Sequence, residues 1–123
     1  MATVLTNTGK AKMIDGVYGT ALTAPTYVDW GTGTNAAAAA DTALQTAGGE
    51  SRTNGTKSKT TTTVTNDTYQ VVGTITATAG KTITEAGLFD AATVGNMYVR
   101  GVFTGIVLST GDGIQFTIQI VQG

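Results

Sequence analysis

The chain has no histidine and no cysteine, one proline (Pro25), one tryptophan (Trp30) and only three serines (Ser51, Ser58 and Ser109). Each scarcity excludes something. Without histidine there is no side chain whose ordinary pKa suits general base work at neutral pH, so Ser-His-Asp and Cys-His nucleophile sets cannot be assembled. Without cysteine there are no disulfides and no thiolate metal sites, and zinc or iron would have to do without both of its usual ligand types. Charged residues make up 12% of the chain, well below the roughly 25% of ordinary soluble domains. The formal net charge is −1, which leaves no electrostatic footprint for nucleic acid. No apolar run approaches the roughly 18 residues that a membrane span needs. Residues 1–12 lack a basic start followed by an apolar stretch, so the expectation is a protein made in a cytoplasm and left unprocessed.

What is abundant is threonine, 27 residues, and glycine, 17 residues, in a chain of 123. Threonine is β-branched and suits a pleated strand. A surface poor in charge is better tolerated when partners cover it, which points to self-association or a larger assembly.

From Asp67 onward the pattern is that of strands. Ile114, Phe116, Ile118 and Ile120 alternate with Gln115, Thr117 and Gln119, and Tyr69, Val71, Gly73, Ile75 and Ala77 alternate in the same way with polar or smaller neighbours. This is period-two patterning with one dry face. Met97, Val99 and Phe103 share a face of a third strand, with Tyr98 and Arg100 opposite. Turn residues at 65–67, 79–81, 95–96 and 111–113 punctuate these runs. The reading is an all-β single domain over 1–123, an antiparallel β-sandwich or barrel of jelly-roll type, with short loops implying hairpins.

Residues 1–66 look different: an irregular, partly extended, partner-docking half ahead of a β-rich core over 67–123. Met13, Ile14, Val17 and Tyr18 have the spacing of one or two helical turns. Five alanines at 36–40 favour a helix or an extended stretch lying flat on another surface. Residues 48–59 read as a flexible loop, and 60–64 as an edge strand with two polar faces. Residues 1–34 are expected to dock on partners, so that deleting them spares the sheet.

No constellation for catalysis or metal binding emerges. Glu50, Glu85, Asp90 and Asp112 are the candidates for a carboxylate pair, but no spacing joins any two of them. Asn66, Asp67 and Asp112 sit in turns, where such side chains cap the backbone. Gly31-Thr32-Gly33 is too short for a phosphate loop and reads as backbone freedom at a tight turn. The expectation is therefore no enzyme, no cofactor and no metal. Glu85 breaks its strand pattern, falling on a face with Ile83, Gly87 and Phe89. A buried carboxylate needs a partner. Pairing Asp90 with Asn96 places Arg100 opposite Ala86, and a bulge at Gly87 would bring Arg100 to Glu85; Arg52 is the second candidate. A lone tryptophan is more often core than contact, so Trp30 reads first as core and second, with Tyr27 and Tyr98, as a candidate for an interface.

Two segments carry a resemblance. The first is Tyr27-Val28-Asp29-Trp30-Gly31-Thr32-Gly33-Thr34, followed by the alanines, Asp41-Thr42-Ala43-Leu44 and Glu50-Ser51-Arg52. The second is Ile83-Thr84-Glu85-Ala86-Gly87-Leu88-Phe89-Asp90, followed by Met97-Tyr98-Val99-Arg100, Phe103 and Gly111 to Thr117. Together they resemble small tailed-bacteriophage virion proteins, and the Glu-x-Gly-Leu-Phe block is also similar to one in tail-collar and tail-fibre proteins. The resemblance implies a non-enzymatic part of the virion and carries no catalytic or ligand residues. On size, the expectation is a capsid decoration (cement) protein: a homotrimer on the capsid exterior that bridges units of the major capsid protein, with no nucleic acid or membrane partner. The alternatives are a tail, collar or fibre component, or a glycan-binding module in which Tyr98 and Tyr18 stack on a sugar.

Overall fold

The computed structural model describes residues 2–122. The chain order is β1 (Ala2–Leu5), α1 (Asn7–Tyr18), β2 (Tyr27–Gly31), β3 (Thr53–Asn54), β4 (Thr56–Thr60), β5 (Thr68–Thr76), β6 (Lys81–Phe89), β7 (Met97–Leu108) and β8 (Gly113–Val121). The strands form a five-stranded sheet, β1-β7-β6-β2-β3, and a three-stranded sheet, β4-β5-β8. Every pairing is antiparallel. The fold is an all-β sandwich, as the alternating patterns imply.

The core lies between the sheets. Val28, Trp30, Leu88 and Val99 of the larger sheet meet Val71 and Ile75 of the smaller one, with Phe116 and Phe103 partly buried beside them. Phe116 meets Trp30 edge to face, ring centroids 6.4 Å apart at 84°, a favourable quadrupole arrangement. Burial on β8 is incomplete: its inner residues Ile114, Phe116, Ile118 and Ile120 are only half-buried.

Short loops predicted hairpins throughout, and the structure makes only some of them. β4–β5 and β6–β7 are hairpins. The β5–β6 and β7–β8 loops instead carry the chain from one sheet to the other, so β8 returns beside β5. Four residues are enough to cross the roughly 10 Å between packed sheets, so loop length cannot distinguish the two connections.

The division near Asn66 is not a division of the structure. β2 lies inside the larger sheet between β6 and β3, and β4 pairs with β5. Residues 1–34 supply β1, α1 and β2, including the core residues Val28 and Trp30; removing them would dismantle the sheet rather than spare it. The turns expected at Met13 to Tyr18 belong to a longer helix. Thr6 caps it, accepting from Gly9 N–H at 2.9 Å while donating to Met97 O at 2.6 Å, and Gly19 ends it at φ 103°. The strand expected at 60–64 ends at Thr60, because Asp67 accepts the N–H groups of Thr62, Thr63 and Val64 and turns the chain there. The alanine block is neither helix nor strand. It belongs to a long loop, 32–52, laid across the outer face of the larger sheet.

Candidate functional site

The most organised chemistry in the molecule sits beneath that loop. Glu85 is fully buried. Its Oε2 accepts from Gly33 N–H at 2.7 Å and Thr46 N–H at 2.9 Å, and its Oε1 from Gln45 N–H at 2.9 Å. Arg100, 1% exposed, places Nε and Nη2 each 3.1 Å from the same Oε1. The rest of the guanidinium reaches outward into the loop. Nη1 donates to Asp41 Oδ2 at 2.9 Å and to Ala36 O at 3.3 Å; Nη2 donates to Asn35 Oδ1 at 2.6 Å and Asn35 O at 3.3 Å. Asp41 also takes the Ala38 N–H at 2.8 Å. That backbone bond, helped by Arg100, holds its carboxyl below the usual range despite some desolvation.

β-sheet register brings the pair together by a different route from the expected one. The bulge is at Tyr98 on β7, not at Gly87: Met97 faces Phe89 while Val99 faces Leu88, which moves Arg100 opposite Gly87. Glu85 is then the diagonal neighbour on the same face. A second irregularity between Ile83 and Glu85 breaks the alternation on β6. Ile83 therefore joins the core, while Thr84 and Glu85 both serve the loop, Thr84 Oγ1 donating to Gly33 O at 2.6 Å. The expectation that Ile83 and Glu85 share a face fails for this reason.

Arg52, the other candidate partner of Glu85, goes elsewhere. It approaches Asp29 Oδ2 at 3.4 Å, donates to Ala91 O and Val94 O at 2.8 Å each, and stacks 3.6 Å above the Phe89 ring. Burial pushes the Asp29 carboxyl up, against the bonds from Trp30 N–H and Arg52. Glu50 completes the set. Its Oε1 accepts from Trp30 Nε1 at 2.8 Å; its Oε2 accepts from Thr78 N–H at 2.9 Å and pairs with Lys81. Desolvation works to raise the Glu50 carboxyl, but Lys81, the Thr78 N–H and the Trp30 indole outweigh it and hold the carboxyl at about 2.

The glycines of the Trp-Gly-Thr-Gly stretch are there for proximity, not for turn conformation. Neither has positive φ. A Cβ on Gly31 would lie 2.2 Å from Thr46 O, and one on Gly33 would lie 2.3 Å from Glu85 Oε2. Only a bare backbone passes that close to the carboxylate. The two resemblance segments thus converge on one assembly: Arg100–Asp41 and Arg52–Asp29 pin the loop to the outer face of the larger sheet, and Lys81–Glu50 pins it beside the core-facing Trp30. Asp41 and Glu50 stand in the first resemblance segment, which gave them no partner, and nothing in the sequence pointed to Asn35.

The interface candidates are placed differently from expectation. Trp30 is fully buried and Tyr98 is 1% exposed, so both are enclosed by the chain itself and neither presents a surface to a partner or a sugar. Burial pushes the Tyr98 hydroxyl up to about 12. Tyr27, half-buried, lies in register between Phe89 and Asn54. Among the described residues, no group of three or more acidic side chains is placed to hold a metal ion, and no helix is long and apolar enough to cross a membrane. Glu85 and Glu50 each have both carboxylate oxygens held by donors, which makes the assembly a clasp that holds a loop.

The clasp has a pH signature. Glu50 is held below its ordinary 4.5, at about 2, so the stability it contributes is complete above pH 4.5 and lost as pH falls toward 2. Asp41 and Asp67 are also held low and add in the same direction; Asp29, raised by burial, acts oppositely. The melting temperature should fall between pH 5 and pH 2, and Glu50→Gln should start lower at pH 7 and fall less steeply. Parallel melting curves for the two proteins across that window would show that Glu50 is not part of the acid response.

The family model described as "Podophage GP4 fiber I protein gp80" matches residues 4–123. Neither the curated proteins nor the solved structures yield a match.

Proposed function

The chain belongs to the podophage fibre family whose model spans residues 4–123, and from that premise we propose that it is a non-enzymatic fibre component of a phage virion. Membership of that family makes it a phage virion structural protein. The fibre role is supported by the family description together with the character of the fold. A virion part must hold its shape under mechanical load, and resistance to local opening comes from buried contacts on both sides of an element. The larger sheet is covered on its inner face by the second sheet and on its outer face by the clasped 32–52 loop. Donor-saturated carboxylates and a buried guanidinium suit such a part better than they suit a reactive centre.

A capsid decoration role is the second reading: the chain would lie on the major capsid protein, bridge capsomers and stabilise the shell by binding it. The low charge content of 12% favours it, since a charge-poor surface suits extensive coverage. Chain length does not favour it, because a fibre-family model spans residues 4–123.

Copy number separates the two. A quantitative protein gel of purified virions, scaled to the major shell protein, is expected to show a few copies per particle, as an appendage around a tail axis requires. A copy number comparable with that of the shell subunit would overturn the fibre reading in favour of decoration.

A further inference from the structure

We infer that β8 is a self-pairing edge through which two copies of this chain join their smaller sheets antiparallel about Thr117. The first observation is the edge itself. The smaller sheet ends at β4 on one side and β8 on the other, and the larger sheet ends at the four-residue β1 and the two-residue β3. β4 carries Lys57 and Lys59, charges that blunt an edge and oppose each other across a pair of copies. β8 is nine residues long, Gly113–Val121, and carries no charge, no proline and no bulge against β5. A long uncharged edge is a template for another strand.

The ladder shows which groups are free. Gln122 N–H donates to Asp67 O at 2.9 Å and Ala77 N–H to Asp112 O at 2.7 Å. Both fall on the β5–β8 register, so the even-numbered residues of β8 bond to β5. In an antiparallel ladder the alternate residues then point the other way. Gly113, Gln115, Thr117, Gln119 and Val121 direct their N–H and C=O groups to the open edge.

A second observation says what fits there. Pairing β8 with its own copy about Thr117 uses the full strand and puts like beside like. Thr117 meets Thr117, Gln115 meets Gln119, Phe116 meets Ile118 and Ile114 meets Ile120, with every free backbone group in register to bond. Glutamine pairing across this sheet already occurs within the chain, Gln119 Nε2 donating to Gln70 Oε1 at 2.8 Å. The inner face is unfinished in the same place. Ile114, Phe116, Ile118 and Ile120 are only half-buried, and a cleft of about 340 Å³ opens between Phe116 and Ile118 on β8 and Val99 and Phe103 on β7. The copy's Phe116 and Ile118 would extend the apolar face over it. An isologous edge closes at two copies, so this contact departs from the three-fold assembly considered above, and it holds whichever part of the virion the protein occupies.

The test is sedimentation equilibrium of the purified full chain over a concentration series, with circular dichroism as the folding control. The 12.4 kDa chain should approach twice that mass. Thr117 is exposed and gives no backbone bond to β5, so Thr117→Lys and Thr117→Glu should fold normally. Each should weaken association at least about tenfold, because like charges meet at the dyad. Mixing the two variants one to one should restore the dimer. A wild-type chain that stays monomeric or forms trimers, a dimer indifferent to both substitutions, or a mixture that does not recover would each overturn the β8 pairing.

Discussion

Arg100→Met is expected to destabilise the protein by about 3–5 kcal/mol, the typical loss when one member of a buried ion pair is removed. Methionine fills most of the volume, so the effect is mainly electrostatic. Glu85 would remain fully buried with its bonds from the N–H groups of Gly33, Gln45 and Thr46 but without a counter-charge. Asp41 and Asn35 would lose the donor that holds the outer part of the loop. For a chain of this length the melting temperature should drop by more than about 10 °C. The double variant Glu85→Gln/Arg100→Met should recover part of the loss, since the uncompensated charge is then gone. Thermal or urea unfolding of the four proteins in the cycle measures this. If Arg100→Met alone costs under about 1 kcal/mol, the level of an exposed pair, the clasp does not contribute to stability as described.

Gly31→Ala is expected to cost about 3 kcal/mol despite adding a single methyl group. Overpacking ordinarily costs about 1–3 kcal/mol, and here the first atom met is the Thr46 carbonyl oxygen, 2.2 Å from the new Cβ. Backbone does not give way as a side-chain tip would. Relief requires lifting the loop near Thr46, and the Thr46 and Gln45 N–H groups are two of the donors to Glu85. The steric conflict therefore becomes an electrostatic loss as well, since bonds to a charged group are worth about 1.5–3 kcal/mol. Gly80→Ala is the control: its Cβ would meet nothing nearer than Leu108 O at 3.6 Å, and its stability should stay within about 0.5 kcal/mol of wild type. Equal melting temperatures for the two alanine variants would refute the proximity account of the Trp-Gly-Thr-Gly stretch.

Much of this molecule was legible in the chain before folding. The absence of histidine and cysteine removed the common catalytic and metal chemistries, and the alternation in β5 and β8 identified strands with one dry face, because side-chain direction in a strand has a period of two whatever the strand pairs with. Glu85 stood out as a charge among apolar residues, with Arg100 named as a nearby cation. Tertiary structure alone decided the rest, for reasons of non-local geometry. Trp30 could be read as core or as an interface anchor, and the core reading holds because β2 is drawn between β6 and β3 by pairings to residues more than twenty positions away. Gly31 and Gly33 looked like turn glycines, since closeness to Glu85 exists only after a 52-residue separation is folded away. Whether a four-residue loop makes a hairpin or crosses between sheets depends on which strand the chain next meets. Strand character is a local property of periodicity and side-chain shape; register, bulge position and the identity of the neighbour belong to the assembled sheets.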